Sequence, residues 1–205
     1  FNAGSLASCD LRGISLGEEG WCAIFDALRD NPQHKITNWE LAGQGITPVI
    51  AKSLAAYMAV GSLTSVWSPV YETKPGIHLI LSSHSHPRAC LCSQLDLSEN
   101  SLCGINPYSG EGTYTAEGII AIAGALRVKG SLTSLNLHYN QLKDDGITAI
   151  CQAVQSNDGS KLSSLVISSN GFGPVGAKAV SAMLAVRGEL TTVWTSAHKQ
   201  SILLS

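Results

Sequence analysis

Charge is thin in this chain. Of its 205 residues only 14% are Asp, Glu, Lys or Arg, with a formal net charge of -2, where soluble domains carry about 25%. The basic excess of a nucleic-acid-binding surface is missing. No apolar run approaches the ~20 residues that a membrane-spanning helix needs. No Asn-x-Ser/Thr glycosylation site occurs. Cysteine is sparse, with six residues (Cys9, Cys22, Cys90, Cys92, Cys103 and Cys151) in the whole sequence. That is too few for a disulfide framework, so a reduced, cytoplasmic setting is expected. The sequence starts at Phe1 with no basic stretch leading into an apolar core, and reads as a piece of a longer protein. Apolar residues nevertheless make up 44%, enough to build a core and to exclude wholesale disorder.

The apolar residues recur in register. The segments 93–102 (SQLDLSENSL), 133–142 (TSLNLHYNQL) and 163–172 (SSLVISSNGF) superpose without gaps. With the preceding residue they spell Leu-x-x-Leu-x-Leu-x-x-Asn-x-apolar. The first position of this frame falls at Leu6, Ile36, Leu63, Cys92, Leu132, Leu162 and Leu190, at spacings of 30, 27, 29, 40, 30 and 28 residues. Alternating apolar residues predict a short strand with one buried face. The second half of each unit turns to spacings of three and four, as in Ile147, Ile150, Cys151 and Val154, which predicts a helix. A Gly six residues past the Asn position, at Gly20, Gly146 and Gly176, is read as opening that helix, and in the unit with the long spacing Gly118 comes eighteen residues after Asn100. One such unit cannot bury its own apolar face, so units must stack. Asn100, Asn140 and Asn170 stand where the chain leaves the strand, and their amides suit a ladder between neighbouring turns. Gln44 and Ile14 replace them in two units.

This pattern resembles the leucine-rich repeat family, in its ribonuclease-inhibitor-like class. The repeats are similar to those of NACHT-type innate sensors and of algal and protist repeat proteins. The resemblance implies an α/β horseshoe of six to seven units, with parallel strands on the concave face and helices on the convex face. It implies a protein-interaction module of a larger regulatory or sensor protein rather than an enzyme. It also implies a protein partner, with no cofactor, nucleic acid, membrane or small-molecule substrate. The alternative within the same repeat class is a GTPase-activating protein similar to the Ran activator, although this chain has no acidic run.

A longer period overlies the short one. Residues 44–67 match 170–194, and the unit around Gly20 matches the unit around Gly146, at an offset of 126–127 residues. The expected organisation is one solenoid over residues 1–205. Residues 68–91, with Pro69, Pro75 and Pro87, should form an irregular, helix-less return. Residues 103–115 should form a surface insertion loop between strand and helix.

Three segments carry chemical signals that compete with the repeat. Gly171-Phe-Gly173-Pro-Val-Gly176 has the G-x-G-x-x-G spacing of a dinucleotide site, but the aligned copy at 44–50 lacks two of the glycines. His84, His86, Cys90 and Cys92 are zinc-ligand types, but Cys92 is also a core position of the repeat. Ser168 and Ser169 read as solvent-facing strand residues with no catalytic turn around them. The candidate partner-binding residues are Asp96, Glu99, Asn136, His138, Tyr139 and Val166, which alternate with inward leucines, together with Trp67 and Trp194, which either project as large aromatics from the same face or pack under the irregular segment that follows each. Tyr139 is the best single anchor, combining apolar area with a hydroxyl.

Overall fold

The computed structural model describes residues 14, 16–31, 36–60, 93–195 and 201–203. Five helices alternate with strands: α1 (Gly17–Asp30), β1 (Asn38–Glu40), α2 (Pro48–Ala59), β2 (Gln94–Asp96), α3 (Glu117–Leu126), β3 (Ser134–Asn136), α4 (Lys143–Ser156), β4 (Ser164–Val166), α5 (Pro174–Leu184) and β5 (Thr192–Trp194), followed by β6 (Ser201–Leu203). The strands form one sheet in sequence order. β1 to β5 are parallel, with Trp39, Leu95, Leu135, Leu165 and Val193 opposite one another. β6 runs antiparallel along the outer edge of β5. Each helix packs on the next in the row.

The core lies between the sheet and the helices. The middle residue of every strand from β1 to β5 is buried, as are Leu41, Leu97, Leu137 and Ile167 just beyond. From the helices come Leu54, Met58, Ile119, Ile122, Ile147, Ile150 and Met183. Toward the first described unit the core is aromatic. Phe25 stacks on Trp21 and Tyr57 and meets Trp39 edge-on.

Helix spacing is set by glycine. A Cβ on Gly118 would come within 2.8 Å of Pro48 Cα, and one on Gly146 within 3.2 Å of Ile119 Cγ2. Both contacts lie on the preceding helix, so the recurring Gly permits close approach between units rather than opening the helix. The helices begin before it: α4 starts at Lys143, α5 at Pro174.

The path between α2 and β2 differs from the repeat frame. Four other strands begin eight residues after the preceding helix ends: Asp30 to Asn38, Leu126 to Ser134, Ser156 to Ser164 and Leu184 to Thr192. From Ala59 to Gln94 the same step takes thirty-five residues, an excess of twenty-seven. β1 is bonded directly to β2, with Ser93 N donating to Thr37 O at 2.7 Å and Leu41 N to Asp96 O at 2.8 Å. The backbone groups that a strand at Leu63–Trp67 would need are therefore taken, and no strand stands between β1 and β2. Trp67 and residues 68–91 lie outside the described residues, as do His84, His86, Cys90 and Cys92.

Residues 103–115 leave β2 for α3 by a small hairpin. Ile105 pairs with Gly112 in an antiparallel bridge, and Thr115 N donates to Cys103 O at 2.9 Å. Cys103 is fully buried. Tyr114 donates its hydroxyl to Leu142 O at 2.9 Å, beneath the Lys143 ammonium, 4.4 Å from the ring centroid.

Candidate functional site

The strands turn a row of side chains outward. Register places Glu40, Asp96, Asn136, Val166 and Trp194 side by side across the sheet. The first is exposed and the others half-buried. Asn136 Nδ2 donates to Asp96 Oδ2 at 3.0 Å, while Asp96 Oδ1 accepts from Ser98 N and Oγ at 2.9 and 2.7 Å. Asn136 Oδ1 accepts from His138 N at 3.1 Å. These bonds fix Asp96 and Asn136 without partners from outside. An open depression of about 500 Å³ lies over β1 to β4, lined among others by Asn38, Glu40, Gln94, Asp96, Asn136 and Val166.

Of the sequence candidates, Asp96, Asn136, Val166 and Trp194 share this row. Glu99 and Tyr139 do not reach the surface by strand alternation. The strands end at Asp96 and Asn136, and Glu99 and Tyr139 occupy left-handed turns with φ of 59° and 55°. Ser169 does the same at 57°, and Gly43 at 64° in the second unit. The turn frees the next residue, Asn100, Asn140 or Asn170, to point inward while its own side chain is thrown out to the rim. Trp67 lies outside the described residues.

The rim gathers residues that are distant in the reading of the sequence. Tyr108, at the hairpin tip and 67% exposed, meets Tyr139 edge-on at 5.6 Å between centroids and donates its hydroxyl to Glu99. That bond holds its proton, so its pKa is raised. Tyr139 in turn stacks on His138 at 5.8 Å. The insertion and the strand-end turns thus form one aromatic and acidic patch.

Ser168 is buried, not solvent-facing, and its Oγ lies 2.9 Å from His138 Nδ1. Of the two carboxylates in the row, Asp96 is bonded to Ser98 and Asn136. The G-x-G-x-x-G segment is also accounted for. Gly173 N and Gly176 N both donate to Asp144 Oδ1, at 2.8 and 2.6 Å. The anion-receiving end of α5 is filled by a carboxylate of α4, which supplies the charge that a phosphate would bring.

Beneath the turns runs the asparagine ladder. Asn170 Oδ1 accepts from Asn140 N and Leu142 N, and its Nδ2 donates back to Leu137 O at 2.8 Å. Asn100 repeats this across to Leu41 O and Ile46 N. Asn140 donates to Leu97 O at 2.8 Å, but its buried Oδ1 has no partner among the described residues. The hairpin begins immediately beyond Leu102, the position whose counterparts Ile46 and Leu142 supply the N–H in the other two units. A second ladder, unread in the sequence, lies at the helix ends. Asn157 Nδ2 donates to Leu126 O and Lys129 O, and Arg187 reaches Gln155 O at 2.6 Å. The signal for it was the Asn31–Asn157 match at the 126-residue offset.

A family model described as "Leucine Rich repeat" matches residues 131–151 and 160–181. Thirty-four solved chains match significantly. One is the leiomodin-1 actin-binding site 2, at a TM-score of 0.51 and 15% identity, over 86% of this chain and 78% of that one. No curated protein matches significantly. No helix among the described residues is long and apolar enough to cross a membrane.

Proposed function

Because the chain is a leucine-rich repeat protein, we propose that it serves as the protein-recognition module of a larger cytoplasmic regulatory or sensor protein, and that its partner docks on the concave strand face. The observation that carries this reading is the outward row of Asp96, Asn136, Val166 and Trp194, in which Asp96 and Asn136 are already hydrogen-bonded in place. Side chains already held in place lose little freedom on binding. The actin-binding neighbour supports a protein as the ligand of such a fold. The hydrogen-bonded array supports a rigid binding surface rather than a catalytic one, since Asp96 orients its neighbours and, among the described residues, no carboxylate is bonded to the Ser168–His138 pair.

Charge narrows the partner. Strands β1 to β5 hold no Lys or Arg, while Glu40 and Asp96, with Glu99 at the rim, supply acid. Val166 and Trp194 make the other half apolar. A partner bringing a basic group near β1–β2 and an apolar group near β4–β5 complements both halves. Tyr108 and Tyr139 add an aromatic rim suited to an anchor contact.

The test is affinity capture with the full chain, followed by titration of the purified partner. Tyr139→Ala and Asp96→Ala should each weaken binding by about tenfold or more, and added salt should weaken it further. Ile120→Ala, on the outer side of α3, should leave it unchanged. Equal loss from Ile120→Ala, or no loss from the concave pair, moves the site elsewhere.

A further inference from the structure

We propose that the outward side of α5 is a second docking surface, built to receive a single helix of the α3 kind. This goes beyond the concave-face reading and is independent of it. The argument starts from the internal duplication. Residues 48–60 (PVIAKSLAAYMAV) and 174–186 (PVGAKAVSAMLAV) are identical at seven of thirteen positions. They form α2 and α5, so the occupied face of α2 states what the equivalent face of α5 is shaped for.

On α2 that face is closed by α3. Ala51, Leu54, Ala55 and Met58 are buried. Gly118, in the first turn of α3, lies so close that a Cβ there would meet Pro48 Cα at 2.8 Å and Ala51 Cβ at 3.3 Å. The residue before it, Glu117, is paired with Lys52 at 2.6 Å. The recognition elements are thus a small residue under a glycine, an apolar strip, and a lysine beside a glutamate.

α5 carries the same elements, and all of them but the buried Val180 are at least partly uncovered. Pro174 and Ala177 correspond to Pro48 and Ala51, and Val180, Ser181 and Leu184 to Leu54, Ala55 and Met58. Ala177 and Ser181 are exposed and Leu184 half-covered. They line a groove of about 420 Å³ with Phe172, Val180 and Thr195. Phe172 stands where Leu142 is fully buried in the preceding unit. Lys178 corresponds to Lys52 and forms no ion pair among the described residues. β6 already occupies the sheet edge beside β5. The place of a further strand is therefore filled, and the groove takes a helix alone. The occupant is an amphipathic helix with Glu-Gly in its first turn and an apolar strip after it. The glycine allows the close interaxial approach seen between α2 and α3.

The probe is a fluorescent peptide of residues 112–130, stapled between positions 120 and 124 so that it enters helical. Both positions face solvent on α3. Titrated with the full chain and followed by anisotropy, it should bind saturably. Ala177→Leu should weaken binding by about tenfold or more, by overpacking the glycine contact. Gly118→Leu in the peptide should do the same. Lys178→Glu should weaken it by about threefold, as for an exposed ion pair, and Glu117→Lys in the peptide should recover that loss. Ala177 is exposed, so a thermal melt of the Ala177→Leu chain should match the parent and exclude misfolding. Absence of saturable binding overturns the proposal, as does binding indifferent to both Ala177→Leu and Gly118→Leu.

Discussion

Asn170 and Asn140 occupy the same position in successive repeats yet are not equally committed. Asn170 accepts two backbone N–H groups and donates to three carbonyls. Asn140 donates to three carbonyls and accepts nothing among the described residues. Each buried backbone group left unpaired costs about 1–3 kcal/mol. Asn170→Ala should therefore destabilise the chain by about 3 kcal/mol or more, and Asn140→Ala by less, about 2 kcal/mol. Urea unfolding of the two variants measures the difference, and an equal loss would contradict the asymmetric ladder. Leu137, fully buried between the units, is the apolar counterpart. Leu137→Ala should cost about 2–5 kcal/mol through lost burial and a cavity.

Within one helix, α3, two glycines predict opposite outcomes. A Cβ on Gly118 would collide with the Leu102 carbonyl and with Pro48 on the neighbouring helix, whereas one on Gly124 would meet nothing within 4 Å. Gly118→Ala must shift α3 against both the Leu102 carbonyl and α2 and should cost about 1–3 kcal/mol. Gly124→Ala stiffens the unfolded chain without a clash and should add about 0.5–1 kcal/mol. Thermal melts of the pair separate the two effects, because helix propensity alone would stabilise both. The same logic explains how the helices begin. α4 and α5 have no side-chain N-cap of their own, and α5 takes Asp144 from its neighbour instead. Similarly, Thr47 at the start of α2 is bonded to Glu18 of α1. The helix starts are stitched between units, so losing one unit exposes the next.

Across the whole molecule, burial sets the response to alkali. Cys103 and Cys151 sit in the apolar core, and desolvation pushes each thiol from 9.0 to about 12. Burial likewise pushes the Tyr114 hydroxyl from 10.0 to about 12. The unfolded chain releases these protons first, so above about pH 9 ionisation favours unfolding. Stability should be insensitive to these groups below about pH 9 and fall as the pH rises toward 12. Urea midpoints measured across that range check the sign, and Cys151→Ala should make the decline shallower. The same burial predicts reactivity. In the native state iodoacetamide should modify the partly exposed Cys22 before Cys103 or Cys151.

The repeat frame alone determined the fold class. Leu95, Leu135 and Leu165 recur with Asn100, Asn140 and Asn170 at fixed spacing, and only stacked units can bury that pattern. The outward row of Asp96, Asn136 and Val166 followed from the same alternation, because period two is a local property of a strand. Tertiary structure decided whatever depends on which units touch. The frame counts a unit at Leu63, but hydrogen bonding joins β1 to β2, and only pairing between distant segments can settle that. Tyr108 met Tyr139 because the hairpin folds back over the strand ends, a contact with no trace in linear spacing. Gly118 and Gly146 proved to be spacers rather than helix openers, since their role lies in the neighbouring helix. Glu99 and Tyr139 were legible as outward residues, but the left-handed turns that present them were not, because only the buried asparagine ladder next to them holds that backbone in place.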